Sequence, residues 1–163
     1  MSRERWDRMV AEFDSMLDRL TSSKPHRHGD KPPPPEAAGI YLFVENGKPV
    51  YVGITRNLRA RYGQHQRPSS PENSAPFAFA IARRAAGEDG FDTGGRGRVE
   101  LSKDPGFTQT YFRPAKDRVR AMDFHYLEVP SEDLDSDPKI AVFEVFASIV
   151  LETEGDFNSF RTH

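Results

Sequence analysis

The chain has no cysteine among its 163 residues. That excludes disulfide staples, thiolate metal sites and a cysteine nucleophile. Nor does it contain a run of roughly 20 apolar residues, the length a membrane-spanning helix requires. The opening Met-Ser-Arg-Glu-Arg-Trp lacks the apolar stretch of a signal peptide. A soluble, cytoplasmic protein with no membrane partner is expected. Zinc-finger and helix-turn-helix patterns are also missing, so no particular DNA sequence can be read as a target.

A strong net charge is missing as well, the total being -2. Its distribution is uneven, however. Residues 54–120 carry 13 basic and 7 acidic side chains, a local +6. The acid gathers in 128–137 and near the N-terminus. A basic middle is the electrostatic footprint of a surface that meets phosphate. Against it stands the plain alternative of an unevenly charged, solvated surface.

What is present divides the chain into a 1–23 amphipathic helix, a 24–36 proline-rich linker and a 37–163 domain with a long central segment at 66–118. In the first piece Trp6, Met9, Val10, Phe13, Met16, Leu17 and Leu20 recur at helical spacing over 4–22. This stripe must be covered. Packing on the same domain is expected, with a homodimer or protein partner as the alternative. The linker, with Pro32 to Pro35, reads as stiff and extended.

Residues 40–44 and 50–54 read as two strands joined at Asn46-Gly47, a hairpin signal. Thr55 reads as the cap of a helix over 56–65. A loop (66–75), a helix (76–86), a glycine-rich loop (87–98) and a helix over 106–122, broken near Pro114, follow. A third strand at 124–129, an acidic loop and a helix at 139–152 complete the pattern. The fold class expected is α/β (α+β): a small three-stranded antiparallel sheet flanked by helices. The last helix is apolar almost all round, which predicts a core position. Glu144 lies in its middle. A carboxylate there is costly unless it is paired, hydrogen-bonded or bound to metal.

Gly39-Ile40-Tyr41, nine residues, then Tyr51-Val52-Gly53, resembles the signature of the GIY-YIG nuclease family, with Val52 in place of the central isoleucine. The family pattern continues with a helix carrying an arginine and a histidine, matched by Arg61 and His65, which share a helix face at i, i+4. Its later metal-binding glutamate is matched by Glu144, and the asparagine beyond it by Asn158. The resemblance runs in scattered blocks from Gly39 to Ser159. It implies metal-dependent hydrolysis of DNA phosphodiesters with one divalent ion, Mg²⁺ or Mn²⁺, on Glu144. It further implies Tyr41 as general base, Tyr51 positioning water or substrate, Arg61 on phosphate oxygens and His65 hydrogen-bonded to a phenol or phosphate. Arg56, Arg59 and Arg67 are candidates for DNA backbone contacts. Two rival readings are a non-catalytic nucleic-acid or protein-binding module on the same scaffold, and a nuclease subunit active only in a partner complex.

A shared site demands that both phenols lie on one sheet face. A three-residue loop, Glu45-Asn46-Gly47 with Gly47 left-handed in a bulge, would set Tyr41 opposite Tyr51. A two-residue turn with unbroken pairing would set them on opposite faces.

Overall fold

In a computed structural model of the protein, residues 2–155, 157 and 158 are described. The last five positions of the 37–163 domain, Ser159 among them, lie outside the described residues. The elements in chain order are α1 (Ser2–Val10), α2 (Phe13–Ser22), β1 (Gly39–Glu45), β2 (Lys48–Thr55), α3 (Leu58–Gln66), α4 (Pro76–Glu88), α5 (Arg98–Ser102) and α6 (Pro105–Phe107). A π-helical turn (Thr108–Phe112), α7 (Arg113–Arg120), β3 (Asp123–Glu128), α8 (Glu132–Ser136) and α9 (Lys139–Val150) follow. The fold is α+β, with an antiparallel sheet in the order β2-β1-β3 and helices at the N-terminus. No helix among the described residues is long and apolar enough to cross a membrane.

The chain divides into two compact units. The first comprises residues 1–59 and 123–163, the second residues 60–122. In the first, alternation along the strands sorts the sheet into two faces. Ile40, Leu42 and Val52 meet Phe13, Met16, Leu17 and Leu20 of α2 and Ile140, Phe143 and Ala147 of α9 in one apolar core. Phe13 packs edge-on against Phe143 at 5.5 Å between ring centroids. Tyr41, Phe43, Tyr51, Phe124 and Tyr126 share the other face, since Tyr41 pairs with Tyr126 and Phe43 with both Tyr51 and Phe124.

The N-terminal stripe packs within its own unit, as expected, but not as one helix. The helix breaks at Ala11-Glu12, and α1 buries none of its residues. Met9 and Val10 border the core, while Trp6 is 45% exposed. The 24–36 segment differs further from the extended spacer that its prolines predict. His26 exchanges both backbone hydrogen bonds with Phe124, and Arg27 pairs with Asp123 at 2.7 Å. The carbonyls of Ala37 and Pro35 accept from Leu58 N and Arg59 N. Those are two of the four donors that the start of a helix leaves unpaired, so the end of this segment and the residue that follows it cap α3. Thr55 does not cap it; its hydroxyl accepts from Asn57 N, and α3 begins two residues later than expected.

The second unit is helical. Phe77, Phe79, Leu101, Phe107, Phe112 and Val119 are buried in it. The break expected near Pro114 takes the form of a π-helical turn that ends two residues before it, with helix continuing on both sides. Lacking an amide hydrogen, proline cannot donate to the carbonyl four residues back. The short helix α8 falls in the stretch that reads as an acidic loop, and α5 begins at the last residue of the glycine-rich loop and runs beyond it to Ser102.

Because α2 supplies part of the core, Leu20→Ala should cost the first unit about 2–5 kcal/mol. Deleting residues 1–35 should abolish its cooperative thermal transition. Circular dichroism melts test both, and an unchanged transition after deletion would refute the placement of α2.

Candidate functional site

The hairpin turns at Asn46-Gly47, both left-handed with φ of 51° and 79°. Such a pair forms the two-residue turn that Asn-Gly favours. Glu45 then faces Lys48 and Val44 faces Pro49, but Phe43 faces Tyr51, leaving Val50 as an extra residue in β2. The expected three-residue loop is therefore corrected to a two-residue turn followed by a bulge inside the strand. Pro49 has no amide hydrogen to give the ladder, which makes its neighbourhood the cheapest place for the irregularity. The expected outcome survives by this other route: both phenols lie on one face. Their direct partners differ from expectation, since Tyr41 sits opposite Gly53, not Tyr51. The two tyrosine rings lie 6.2 Å apart between centroids.

Each glycine of the motif is explained by what a side chain would meet. A Cβ on Gly53 would lie 2.3 Å from Cζ and Oη of Tyr41. The tyrosine ring occupies the space where that side chain would stand. A Cβ on Gly39 would lie 2.7 Å from the carbonyl oxygen of Leu127 and 2.7 Å from a methyl of Leu58. Tyr41 is 2% exposed and stacks on Phe124 at 5.5 Å. Tyr51 is half-buried and is the more open phenol. Tyr126, absent from the expected set, stands opposite Tyr41 on β3 and is also half-buried. Strand alternation from Phe124 was the signal that could have found it.

Asn158 holds the outer edge of β2. Its Oδ1 accepts from Val52 N at 2.9 Å and its Nδ2 donates to Val52 O at 2.8 Å. The side chain mimics a neighbouring strand residue and pins the middle of the second motif half. Its amide is directed at backbone, a positioning role.

Glu144 lies on α9 one residue after Phe143, on the flank it shares with Ser148. It is half-buried, and its carboxylate makes no hydrogen bond or ion pair among the described residues. Burial alone pushes its pKa up to about 7. The helix differs from the all-round burial its composition predicts: Val145, Ile149 and Val150 are exposed, Ile149 by 55%. The arc through Ile140, Phe143 and Ala147 is buried in the core, and Val142 and Phe146 pack against it half-buried. No group of three or more histidine, aspartate or glutamate side chains that could hold a metal occurs among the described residues. A single carboxylate nonetheless suits Mg²⁺, which keeps several waters and takes further ligands from substrate phosphate. A cation there would also compensate the desolvated charge.

Tyr41, Tyr51, Glu144 and Asn158 all belong to the first unit, whereas Arg61 and His65 belong to the second. Arg61 is half-buried, and its Nε is enclosed without a hydrogen-bond partner among the described residues. His65 is fully buried, edge-on to Phe77 at 6.2 Å. Burial, and then the charge of Arg61, push its pKa down to about 3, so it is neutral at physiological pH. Of the arginines expected on DNA, Arg56 is held by the Asp135 carboxylate, and Arg59 donates to Pro34 O at 2.9 Å. Arg67 is exposed.

No protein-family model matches the chain, and no curated protein and no solved structure matches it.

Two outcomes follow from this geometry. Gly53→Ala should cost about 1–3 kcal/mol through overpacking, but under about 0.5 kcal/mol in a Tyr41→Ala background. Equal costs in the two denaturant titrations would dissociate the glycine from the ring. Glu144→Gln should leave stability unchanged near pH ~3.5, where the carboxyl is protonated in both the folded and the unfolded chain. The unfolded carboxyl ionises above its ordinary pKa while burial holds the folded one up to about 7, so wild type loses stability as pH rises between the two. At pH 8 the amide should therefore stabilise the metal-free protein by roughly 2–3 kcal/mol. Thermal melts at the two pH values measure this, and a larger gain at the acidic one would reverse the sign.

Proposed function

We propose that this chain is a metal-dependent endonuclease that hydrolyses DNA phosphodiesters through a GIY-YIG-type site. The observation that carries this reading is the hairpin: its bulge puts Tyr41 and Tyr51 on one face, and Gly53 leaves room for the ring of Tyr41. The motif residues thus have interlocking physical roles in place of a chance string. The half-buried carboxylate of Glu144 is the second support.

In the proposed reaction a water oxygen attacks phosphorus, its proton passes to a base, and the bond to the leaving sugar oxygen breaks. The leaving oxygen takes a proton from solvent. The resemblance gives the base role to Tyr41, acting as phenolate, and the positioning of water or phosphate to the more open Tyr51. Arg61 has a planar fork of donors suited to phosphate oxygens. The resemblance gives His65 a hydrogen bond to a phenol or phosphate; its buried ring is neutral at physiological pH. Bound at Glu144, a divalent ion, Mg²⁺ or Mn²⁺, supplies polarisation of the phosphate and charge stabilisation for the leaving oxygen. Below pH 7 protonation of Glu144 competes with the metal. A cytoplasmic setting belongs to this reading, in keeping with a cysteine-free chain.

A plasmid-nicking assay with Mg²⁺ or Mn²⁺ tests it. Wild type should convert supercoiled to nicked and linear DNA, and Arg61→Ala or Glu144→Ala should lower the rate about 100-fold or more. At subsaturating metal the rate should rise as pH passes through 7. Absence of cleavage by wild type across several DNA substrates and both ions would assign the chain instead to non-catalytic binding modules.

A further inference from the structure

The second unit contains a cleft of about 210 Å³, lined on one side by the 68–72 turn and on the other by the π-helical turn and the start of α7. None of the candidate nuclease residues lines it. Its floor holds Lys116, which is 97% buried by its 3% exposure. The ammonium donates to Pro68 O at 3.0 Å and to Ser70 O, and lies 4.2 Å from the centroid of the Phe112 ring. An ammonium has three hydrogens, so two carbonyls leave one. Arg113 lines the same cleft, is exposed, and makes no hydrogen bond or ion pair among the described residues. Burial, and then the charge of Arg113, hold the pKa of Lys116 below its ordinary value; Glu72 opposes them. Two neighbouring cations, one of them desolvated, are relieved by an anion.

The backbone supplies a second, independent sign. Residues 108–112 form a π-helical turn, a rare arrangement that recurs at functional positions in helices. Here it presents Gln109 and Phe112 to the cleft. The donor set therefore combines a guanidinium, an ammonium, an amide and the hydroxyl of Ser70, with an aromatic wall and one carboxylate, Glu72. Several donors of different kinds suit the many acceptors of a phosphate better than the two of a carboxylate. The volume exceeds a phosphate ion, and the apolar wall and the Glu72 acceptor suit a sugar with its hydroxyl.

We propose that this cleft binds the phosphate and sugar of a nucleotide, with Arg113 and Lys116 on the phosphate, Glu72 on a sugar hydroxyl and Phe112 along the sugar. The nucleotide is either free or the terminal residue of a strand. This site is separate from the nuclease reading, and its test needs no divalent ion, so one can fail without the other.

The full-length chain is titrated calorimetrically in metal-free, low-salt buffer with thymidine 5′-monophosphate, thymidine, inorganic phosphate and a 5′-phosphorylated hexathymidylate. Saturable binding of the monophosphate is expected, at least about tenfold tighter than thymidine. Inorganic phosphate should compete. Arg113→Ala, a change at an exposed side chain, should weaken binding at least about fivefold, and Gln109→Ala should weaken it measurably. A hexanucleotide binding about tenfold tighter than the monophosphate would make a strand end the ligand; equal affinities would make it the free nucleotide. No saturable binding up to about 10 mM, or an affinity that Arg113→Ala leaves unchanged, would overturn the proposal.

Discussion

One extra residue in β2 governs the rest of the first unit. Side chains alternate along a strand, so a shift by one residue moves every later side chain to the opposite face. Without Val50 as a bulge, a two-residue turn at Asn46-Gly47 would send Tyr51 and Gly53 to the α2 and α9 side and expose Val52 to the aromatic side. The bulge corrects the parity beyond Pro49. Val52 then enters the apolar core, Gly53 lies beneath the ring of Tyr41, and Val52 N and O meet the amide of Asn158. Core packing, the aromatic face and the pinned strand edge all depend on the same register.

The register explains which parts of the site were legible in the sequence. The glycine–tyrosine spacing marked the hairpin, and Asn-Gly marked its turn. The route to one shared face was misjudged because a loop of three residues and a turn of two with an internal bulge give the same parity. Pro49 was the local sign that favoured the bulge. Elsewhere the periodic signal outran the geometry. The stripe over 4–22 is continuous, yet the helix breaks at Ala11-Glu12, and only α2 buries its apolar residues fully while Met9 and Val10 border the core. The prolines of 24–36 showed that this segment is not helical. They gave no sign that its carbonyls cap α3, since backbone acceptors leave no mark in side-chain pattern.

The charge asymmetry also takes a clearer form once the two units are known. Residues 60–122 carry eleven basic and seven acidic side chains, +4, while the remainder carries -6. The basic character is therefore a property of the helical unit, residues 60–122, and not of the first unit. Several of its cations are already committed: Arg96 to Asp104, Arg120 to Gln66 O, and Lys116 to the 68–70 carbonyls. Arg67 and Arg113 are exposed instead. Counting charges along a sequence overstates what is available to a polyanion, because internal pairing consumes part of it.

Glu144 and Lys116 then illustrate two ways of keeping an ionisable group out of water. At Lys116 carbonyl oxygens and an aromatic ring replace part of the hydration that burial removes. That solution stabilises the 66–75 turn and serves structure even with an empty cleft. Glu144 has no such compensation among the described residues, and its carboxyl accordingly holds its proton up to about pH 7. Replacing a carboxylate at this position by leucine or alanine would suit the apolar helix better on stability grounds alone. An uncompensated acid in an otherwise apolar helix is thus harder to explain by folding than a buried lysine with its partners. That difference gives Glu144 the stronger claim to a role with a bound cation.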